Sequence, residues 1–426
     1  MKKLLFSAFL ATAAGSAFAT AAIEQVIVRQ QWPWSTDVKV EYKITGVTPE
    51  TPVNLQVEAF NGGVPLDSSK LRSSITGDLY GISTDGIGQF IIDPVKAFGQ
   101  EQVALANFKV KLVVTEDPSM ADVIYKIYDL TTAEGVFPYT DVTRADLLNG
   151  KYGAVETDYS RIGDGFSTPL SDVLIWTGVT NYPGAKTTKL VMRRIPAKNE
   201  TWKMGAEDIN NFKDVDNAKL RHDVTLTQDY YIGVFEVTQE QYRKLTRGWW
   251  NGSGFKGEAL PVENAAYSVF QGVITGTIAA NLGVPVDYPT EAQWEYACRA
   301  GTTSELYTGK LLGSANLTPI AWHGGISNGT THEVGTKSPN AFGLYDMLGN
   351  VSEACKDFWL KEAPGYADGS AVENPCVTAE EAGSSTYVMR GGAYNISNFQ
   401  STSPGRNSQA GGWNAYGFRI AFTVSE

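Results

Sequence analysis

Apolar and polar residues alternate along much of the first quarter of the chain. In "DVKVEYKI" the apolar positions are Val38, Val40, Tyr42 and Ile44, and polar or charged residues stand between them. "VNLQVEAF" and "NFKVKLVV" repeat this period of two, and turn-forming stretches such as "NGGVP" separate them. Short alternating strands at such intervals predict a β-sandwich of the immunoglobulin or fibronectin kind over residues 23–116.

A helical pattern appears in the second half. In "NAAYSVFQGVITGTIAANLG" the apolar residues Tyr267, Phe270, Ile274 and Ile278 lie at helical spacing, and Gly283 is suited to end the helix. The pattern therefore predicts one helix over this stretch.

Two threonines indicate where further helices begin. Thr238 with Gln241, and Thr290 with Gln293, have the spacing of capping boxes. Helices enclosed by strands and by long loops rich in Gly, Asn and Ser predict an irregular, loop-rich α+β domain over residues 187–426. Residues 117–186 show no sustained period, and we interpret them as a connector that packs on the larger domain.

The first residues have the layout of a Sec-type export signal. "MKKLLFSAFLATAAGSAFA" has a short basic start, an apolar run and a small-residue end, so we predict a signal peptide over residues 1–22. The apolar run is too short to span a bilayer, and no later segment is long and apolar enough to do so. We therefore expect an exported protein, periplasmic or extracellular, without a transmembrane segment.

The charge balance bears on the partners. The chain has 35 Lys and Arg against 46 Asp and Glu, a net charge of −11 at pH 7. Basic residues do not cluster beyond Lys2 and Lys3, which disfavours nucleic acid as a partner. The three histidines lie in separate motifs without zinc-ligand spacing.

The cysteines must be interpreted for an oxidising compartment. Cys355 and Cys376 flank a polar stretch, and a disulfide between them would close about 20 residues and contribute about 3 kcal/mol. Cys298 lies in a helical segment and is expected to be a buried apolar residue. We predict the bridge between Cys355 and Cys376, and a pairing of Cys298 with Cys355 stays open.

Six stretches of residues 187–426 occur in the order, and at about the spacing, of the formylglycine-generating enzyme (sulfatase-modifying factor) family. They are "YIGVFEVTQEQY", "PVEN", "YPTEAQWEYACRAGTT", "SPNAFGLYDMLGN", "VMRGGAYN" and "GFRIAF". The resemblance implies a loop-rich domain related to C-type lectin folds. We assign Arg390 and Arg419 to the scaffold.

The same resemblance bears on activity. Active members of the family oxidise a cysteine of a target sulfatase to formylglycine with Cu(I) held by two thiolates, which follow an R-G-G motif by about four and nine residues. The matching positions here are Ile396 and Ser401, and neither an alkyl group nor a hydroxyl suits soft Cu(I). The two tryptophans that the family carries after its G-N dipeptide are replaced by Ser352 and Ala354. We therefore expect no copper and assign no catalytic residue.

Calcium is a second expectation that the resemblance implies. In the family a Ca²⁺ ion is held by side-chain oxygens and carbonyls of the loop that matches Asp346, Gly349 (carbonyl), Val351 (carbonyl) and Glu353. Such oxygen ligands from a loop suit this ion. The alternative is that the two carboxylates only cap the turn or form ion pairs.

The segment after the R-G-G motif has the composition of binding loops, which are rich in Tyr, Ser, Asn, Trp and Arg. The predicted ligand-binding residues are Tyr394, Asn395, Ser397, Asn398, Ser401, Arg406, Trp413, Asn414 and Tyr416. The favoured function is a non-catalytic, exported family member that binds a protein, peptide or glycan. The alternatives are an enzyme of the family, acting in sulfatase maturation or another metal-dependent reaction, and a structural or adhesive envelope protein.

Overall fold

The computed structural model divides the chain into two compact units. One comprises Met1–Ile124 and Val142–Val155, and the other comprises Tyr125–Asp141 and Glu156–Glu426. The structure describes residues 21–30, 35–49, 51–99, 105, 107–115, 122–152, 177–206, 221–248, 252–264, 266–360, 371–396, 399–409 and 415–424. The predicted signal peptide, apart from Ala21 and Ala22, lies outside these residues.

The first unit consists mainly of strands. Its strands are β1 (Ala22–Gln30), β2 (Val38–Thr45), β3 (Asn54–Asn61), β4 (Val64–Pro65), β5 (Ile75–Gly77), β6 (Gly86–Ile92) and β7 (Lys109–Thr115). One sheet has the order β1-β2-β6-β5 and the other has the order β4-β3-β7, with antiparallel pairing throughout. The short helices are α1 (Ser68–Ser73), α2 (Pro94–Phe98) and α3 (Arg144–Leu148).

One apolar core joins the two sheets of this unit. Val38, Val40, Tyr42 and Ile44 of β2 are buried, and Leu112 of β7 belongs to the same cluster. The residues between them face outward because side chains on a strand alternate between its two faces. The alternation thus identified the buried face of β2 correctly.

The second unit mixes sheets, helices and loops. Its strands are β8 (Val123–Asp129, which begins in the first unit), β9 (Tyr139–Thr143), β10 (Lys189–Ile195), β11 (Glu200–Met204), β12 (His222–Leu226), β13 (Tyr230–Gly233), β14 (Ser352–Phe358), β15 (Val372–Glu373), β16 (Tyr387–Arg390), β17 (Arg406–Gln409), β18 (Tyr416–Gly417) and β19 (Ala421–Thr423). The sheets have the orders β19-β13-β10-β8-β9, β11-β12-β15 and β17-β16-β14-β18.

The helices of this unit are α4 (Thr177–Thr180), α5 (Gln239–Leu245), α6 (Tyr267–Val273), α7 (Ala279–Leu282), α8 (Glu291–Arg299), α9 (Ser314–Leu317) and α10 (Ala379–Ala382). A π-helical segment, Ile274–Ile278, joins α6 to α7, and Gly283 ends the run in a left-handed conformation. The predicted helix over this stretch is therefore present, with one segment wound more widely.

The stretch interpreted as a connector, residues 117–186, contains regular structure. Most of β8 and part of β9 lie in the larger unit, where β8 pairs with β10 from Tyr125 to Asp129. α3 lies in the first unit instead. Within the described part of the chain, every helix is too short or too polar to cross a membrane.

Candidate functional site

A network of buried ion pairs holds the helix α8 against the sheet containing β16. Arg406 donates from Nε to Oε1 and from Nη2 to Oε2 of Glu291, both at 2.7 Å. Arg390 bonds the carboxylate of Glu295, which also accepts from Nε of Arg299 at 2.8 Å. All five side chains are buried. Because each guanidinium bonds a carboxylate inside the protein, these residues form scaffold, as the sequence predicts for Arg390.

A second buried cluster lies at the start of β14. Glu353 accepts two hydrogen bonds from Arg419 and a third from Nε1 of Trp294 at 2.7 Å. Glu236 and Asp346 belong to the same electrostatic cluster. Burial raises the pKa of Asp346 to about 6, and burial together with the neighbouring Asp346 charge holds the pKa of Glu236 well above its usual range. Three carboxylates thus share one buried guanidinium.

This cluster contains both predicted side-chain ligands for calcium. The Oδ2 atom of Asp346 accepts from the N–H of Gly335 at 2.6 Å, whereas Oδ1 is buried without a hydrogen-bond partner. That oxygen is a fitting donor for Ca²⁺. Glu353 fits less well, because Arg419 and Trp294 engage both of its oxygens. Over the described residues, no set of three His, Cys, Asp or Glu side chains is arranged to hold a metal ion.

Asn350 connects this cluster to three neighbouring loop segments. Its Nδ2 donates to Oε2 of Glu236 at 2.6 Å, and its Oδ1 accepts from the N–H of His332 at 2.9 Å. Its own N–H donates to the carbonyl of Trp322, and its carbonyl accepts from the N–H of Tyr394, both at 2.8 Å. One residue in the left-handed region (φ 60°) therefore fixes three loop segments.

Trp322 is held on both faces of its indole ring. The ring of His332 stacks on it with centroids 3.6 Å apart, and the Nζ of Lys337 lies 4.0 Å from the indole centroid. Two groups this close cannot share one face. The indole Nε1 donates to Oγ1 of Thr336 at 2.7 Å. Trp322 is therefore part of the loop's own packing and offers no open ring face to a ligand.

The positions that match the copper thiolates are not equivalent in the structure. Ile396 is half-buried, and its carbonyl accepts from the N–H of Gly324. Ser401 is fully buried, and its Oγ has no hydrogen-bond partner. Gly392 has a φ of 70°, and a Cβ there would collide with Oγ of Ser401. The R-G-G backbone therefore packs directly on the serine.

The three cysteines are free thiols in the structure, so the bridge predicted between Cys355 and Cys376 is not formed there. Burial raises the pKa of Cys298 and of Cys376 to about 12 and that of Cys355 well above its usual range. Cys298 donates a weak hydrogen bond to Oγ of Ser403 at 3.6 Å. None of these thiols has the lowered pKa of a reactive cysteine.

The predicted ligand-binding residues separate into several groups. Ser401 and Arg406 are buried, and the guanidinium of Arg406 is committed to Glu291, so both belong to the scaffold rather than to a binding surface. Tyr394 and Tyr416 are largely buried, and Asn395 is exposed. The others, Ser397, Asn398, Trp413 and Asn414, lie outside the described residues.

One acidic residue beside these tyrosines was not among the predicted site residues. Glu263 is fully buried, its Oε1 accepts from the N–H of Phe255 at 3.0 Å, and its Oε2 has no hydrogen-bond partner. The ring of Phe255 lies edge-to-face against that of Tyr394, with centroids 5.3 Å apart. The charge of Glu263 acts on Tyr394, whose pKa is raised by burial and then by this carboxylate. The three residues are thus neighbours.

Residues 194–424, more than half of the chain, match the family model described as "Sulfatase-modifying factor enzyme 1-like domain". The chain belongs to this family. The family resemblance seen in the six ordered stretches is therefore confirmed, and so is the α+β fold class.

The chain covers different shares of the proteins to which its sequence is similar. Chaperone protein LppX of Paenibacillus barcinonensis is 31% identical over 193 residues, with 34% of this chain and 67% of that protein covered. Formylglycine-generating enzyme of Mus musculus is 36% identical over 81 residues, and that of Thermomonospora curvata 33% over 123 residues. These matches cover 17% and 25% of this chain but only 22% and 37% of the two enzymes.

Solved structures of similar chains are also known. Treponema denticola variable protein 1 is 26% identical, with a TM-score of 0.45, and the match covers 55% of this chain and 95% of that one. PvdO from Pseudomonas aeruginosa is 25% identical, with a TM-score of 0.45 and coverage of 55% and 94%.

The sequence contained one signal for Glu263, its place in a motif of the family. "PVEN" is one of the six stretches that carry the resemblance, and it contains the acidic residue. Its neighbours Phe255 and Tyr394 are 8 and 131 positions away in the chain. Its significance could therefore be recognised only in the folded chain.

Proposed function

We propose that this chain is an exported, non-catalytic member of the family that binds a protein or peptide through loops of its second unit. The observation that carries the proposal is the chemistry at the two positions that match the copper thiolates. Ile396 presents carbon, and the hydroxyl of Ser401 is buried. Soft Cu(I) favours thiolate ligands, which neither position supplies.

The thiols elsewhere in the chain support the same proposal. Cys298 and Cys355 are fully buried, and burial raises the pKa of both. A thiol must lose its proton to bind a metal ion or attack a substrate, and a raised pKa opposes that loss at neutral pH. Oxidation of a sulfatase cysteine is therefore not the activity that we expect.

The name of one relative and the anchoring of the loops favour a polypeptide ligand. Chaperone protein LppX carries a name that denotes action on other proteins, whereas a glycan ligand has no such support here. Asn350 holds the loops at Trp322, His332 and Tyr394 through hydrogen bonds to their main chain. Loops on a rigid base are ordered before binding, which lowers the entropic cost of holding a ligand.

A copper-restoration experiment tests the non-catalytic part. The purified wild-type protein, Ile396→Cys/Ser401→Cys and the control Ile396→Ala/Ser401→Ala are each mixed with Cu(I) and a cysteine-containing sulfatase peptide under oxygen. We expect no stoichiometric Cu(I) binding and no aldehyde by mass spectrometry for the wild type and the alanine control. Aldehyde formed by the wild-type protein would instead support the sulfatase-maturation alternative.

A capture experiment tests the binding part. The mature protein is immobilised, exposed to extracts of its own envelope and culture medium, and compared with Asn395→Ala and with the distant exposed control Glu380→Ala. We expect the wild-type protein and Glu380→Ala to retain the same polypeptide, and Asn395→Ala to retain less of it. Equal retention by all three proteins would contradict binding through this loop.

Calcium binding and export are also proposals. The free oxygen of Asp346 supports a Ca²⁺ site, and calorimetric titration should detect one ion that is lost in Asp346→Asn. Mass determination of the protein recovered from the cell envelope tests the signal peptide, since cleavage is expected near Thr20 or Ile23.

A further inference from the structure

A buried carboxylate with one unpaired oxygen is an unusual feature of a folded chain. Glu263 is fully buried, and Oε2 has no hydrogen-bond partner although Oε1 has one. A buried polar atom that loses water without gaining a partner is costly, and the cost is larger when the group is charged. Such an atom is a candidate contact for a group that arrives from outside.

The backbone around Glu263 holds its side chain in place. Its N–H donates to Oγ of Ser253 at 3.2 Å, and its Oε1 accepts from the N–H of Phe255 at 3.0 Å. On its other side, the N–H of Asn264 donates to the carbonyl of Tyr416 at 3.2 Å. The main chain on both sides of Glu263 and one oxygen of its carboxylate are therefore held in place.

Two aromatic residues neighbour the carboxylate, since the N–H of Phe255 bonds it and its charge acts on Tyr394. Phe255 is half-buried, and its ring packs edge-to-face on that of Tyr394. The exposed Asn395 directly follows Tyr394. Aromatic faces attract cations, and they do so most strongly where water is excluded. A carboxylate with a free oxygen next to such rings combines the two elements that recognise a positively charged side chain.

We propose that Glu263, with the rings of Phe255 and Tyr394, forms the anchor site for one cationic side chain, a lysine ammonium or an arginine guanidinium, of the polypeptide ligand. This inference rests on the proposed function. The ammonium or guanidinium donates to Oε2 of Glu263 when the two rings part to admit it. The net charge of −11 favours the approach of such a ligand over long range.

The site should respond to pH in a defined direction. Burial raises the pKa of Glu263 above its usual range, while the backbone N–H groups of Phe255 and Gly254 and the positive charge of Lys256 lower it in part. Only the ionised carboxylate attracts a cation strongly. Binding should therefore be weak in acid and strengthen as the pH rises through the raised pKa of Glu263, at a pH above that of an ordinary exposed glutamate.

The test uses the full mature chain and short peptides of defined composition. A peptide carrying one lysine is compared, by calorimetry at physiological salt, with the same peptide carrying norleucine. We expect the lysine peptide to bind about tenfold or more tightly than the norleucine peptide, since charge-assisted bonds are worth that much. The preference should be lost in Glu263→Gln and retained in Glu258→Gln, an exposed acidic control on the same loop.

Two further measurements keep the inference falsifiable if Glu263→Gln folds poorly. The affinity of the wild-type protein for the lysine peptide should rise with pH as described. Phe255→Ala should weaken this affinity, and its thermal unfolding is compared with that of Glu258→Gln, the reference for a folded variant. Equal binding of both peptides by the wild-type protein, or a preference that survives in Glu263→Gln, would overturn the anchor site. A captured polypeptide that still binds in either case would leave the proposed function standing.

Discussion

Arg419 and Glu353 form a bidentate ion pair in the interior of the second unit. Nε of Arg419 lies 2.6 Å from Oε2 of Glu353, and Nη2 lies 2.5 Å from Oε1. Neither side chain is exposed. The other guanidinium donors bond the carbonyls of Gly233 and Tyr345, which belong to β13 and to a distant loop. The pair therefore ties three separate parts of the chain to one point.

Removal of either charge should be strongly destabilising. Glu353→Gln removes the carboxylate that bonds Arg419 directly, and Arg419→Met leaves three buried carboxylates without their shared cation. The expected loss in free energy of unfolding is about 3–5 kcal/mol for either variant, measured by urea titration. The ion pair of the exposed Arg243 with the partly buried Glu240 provides the control, because Arg243→Ala should cost under about 1 kcal/mol. Equal losses from both pairs would show that burial does not set the strength of these bonds.

The buried carboxylate of Asp357 should make stability depend on pH. Its oxygens accept from the N–H groups of Glu291 and Val377, and burial raises its pKa to about 6. Because the folded chain holds this proton more tightly than the unfolded chain, the contribution is complete below about pH 4 and is lost as the pH rises through about 6. The expected loss is about 3 kcal/mol.

The measurement is the difference in unfolding free energy between the wild-type protein and Asp357→Asn across this range. Asp129 is a control of opposite sign, since its bonds to Lys189 and Thr131 lower its pKa to about 2. The contribution of Asp129 is present above about pH 4 and is lost as the pH falls toward about 2. A difference for Asp357→Asn that does not change with pH would contradict the prediction.

Asn350 should be needed both for its amide and for its backbone conformation. Asn350→Gly keeps the left-handed backbone but removes the bonds to Glu236 and His332, with an expected cost of about 1–3 kcal/mol. Asn350→Ala should cost about 1 kcal/mol more, because alanine disfavours a positive φ. Urea titration measures both costs. Faster hydrogen exchange at the amides of His332 and Tyr394 should accompany them, and equal stability of the two variants would exclude backbone strain.

The capping boxes give a smaller and more local prediction. The Oγ1 of Thr290 accepts from the N–H of Gln293 at 3.2 Å, and the Gln293 side chain accepts in return from the N–H of Thr290. Thr290→Ala should therefore lower the unfolding free energy by about 1 kcal/mol, whereas Thr290→Ser, which keeps the oxygen, should be near neutral. A serine variant as unstable as the alanine variant would assign the loss to packing instead.

Local patterns predicted the parts of the fold that depend on neighbouring residues. Thr238 and Thr290 both begin helices through the predicted capping boxes, and Gly283 ends the helix for which it was proposed. Each of these features joins residues a few positions apart. The strand β8 was missed because its partner β10 lies some sixty residues away, and β9, which lies beside β8 at the edge of the sheet, was missed with it because the segment has no regular period.

The site was harder to predict than the fold. Ser401 and Arg406 have the residue types of a binding loop, yet Gly392 and Glu291 bury them through contacts between distant segments. Composition cannot distinguish an arginine that faces solvent from one that is paired inside. Glu263 was overlooked for the converse reason, because the sequence does not distinguish a buried glutamate with a free oxygen from one at the surface.

The position of Asn350 has a consequence for how such loops can diverge. Its contacts to Trp322 and Tyr394 use only main-chain atoms of those residues. Side chains beyond the anchored backbone can therefore be exchanged without loosening the attachment. A lineage could acquire new recognition specificities at residues such as Asn395 while the interior that supports them stays unaltered.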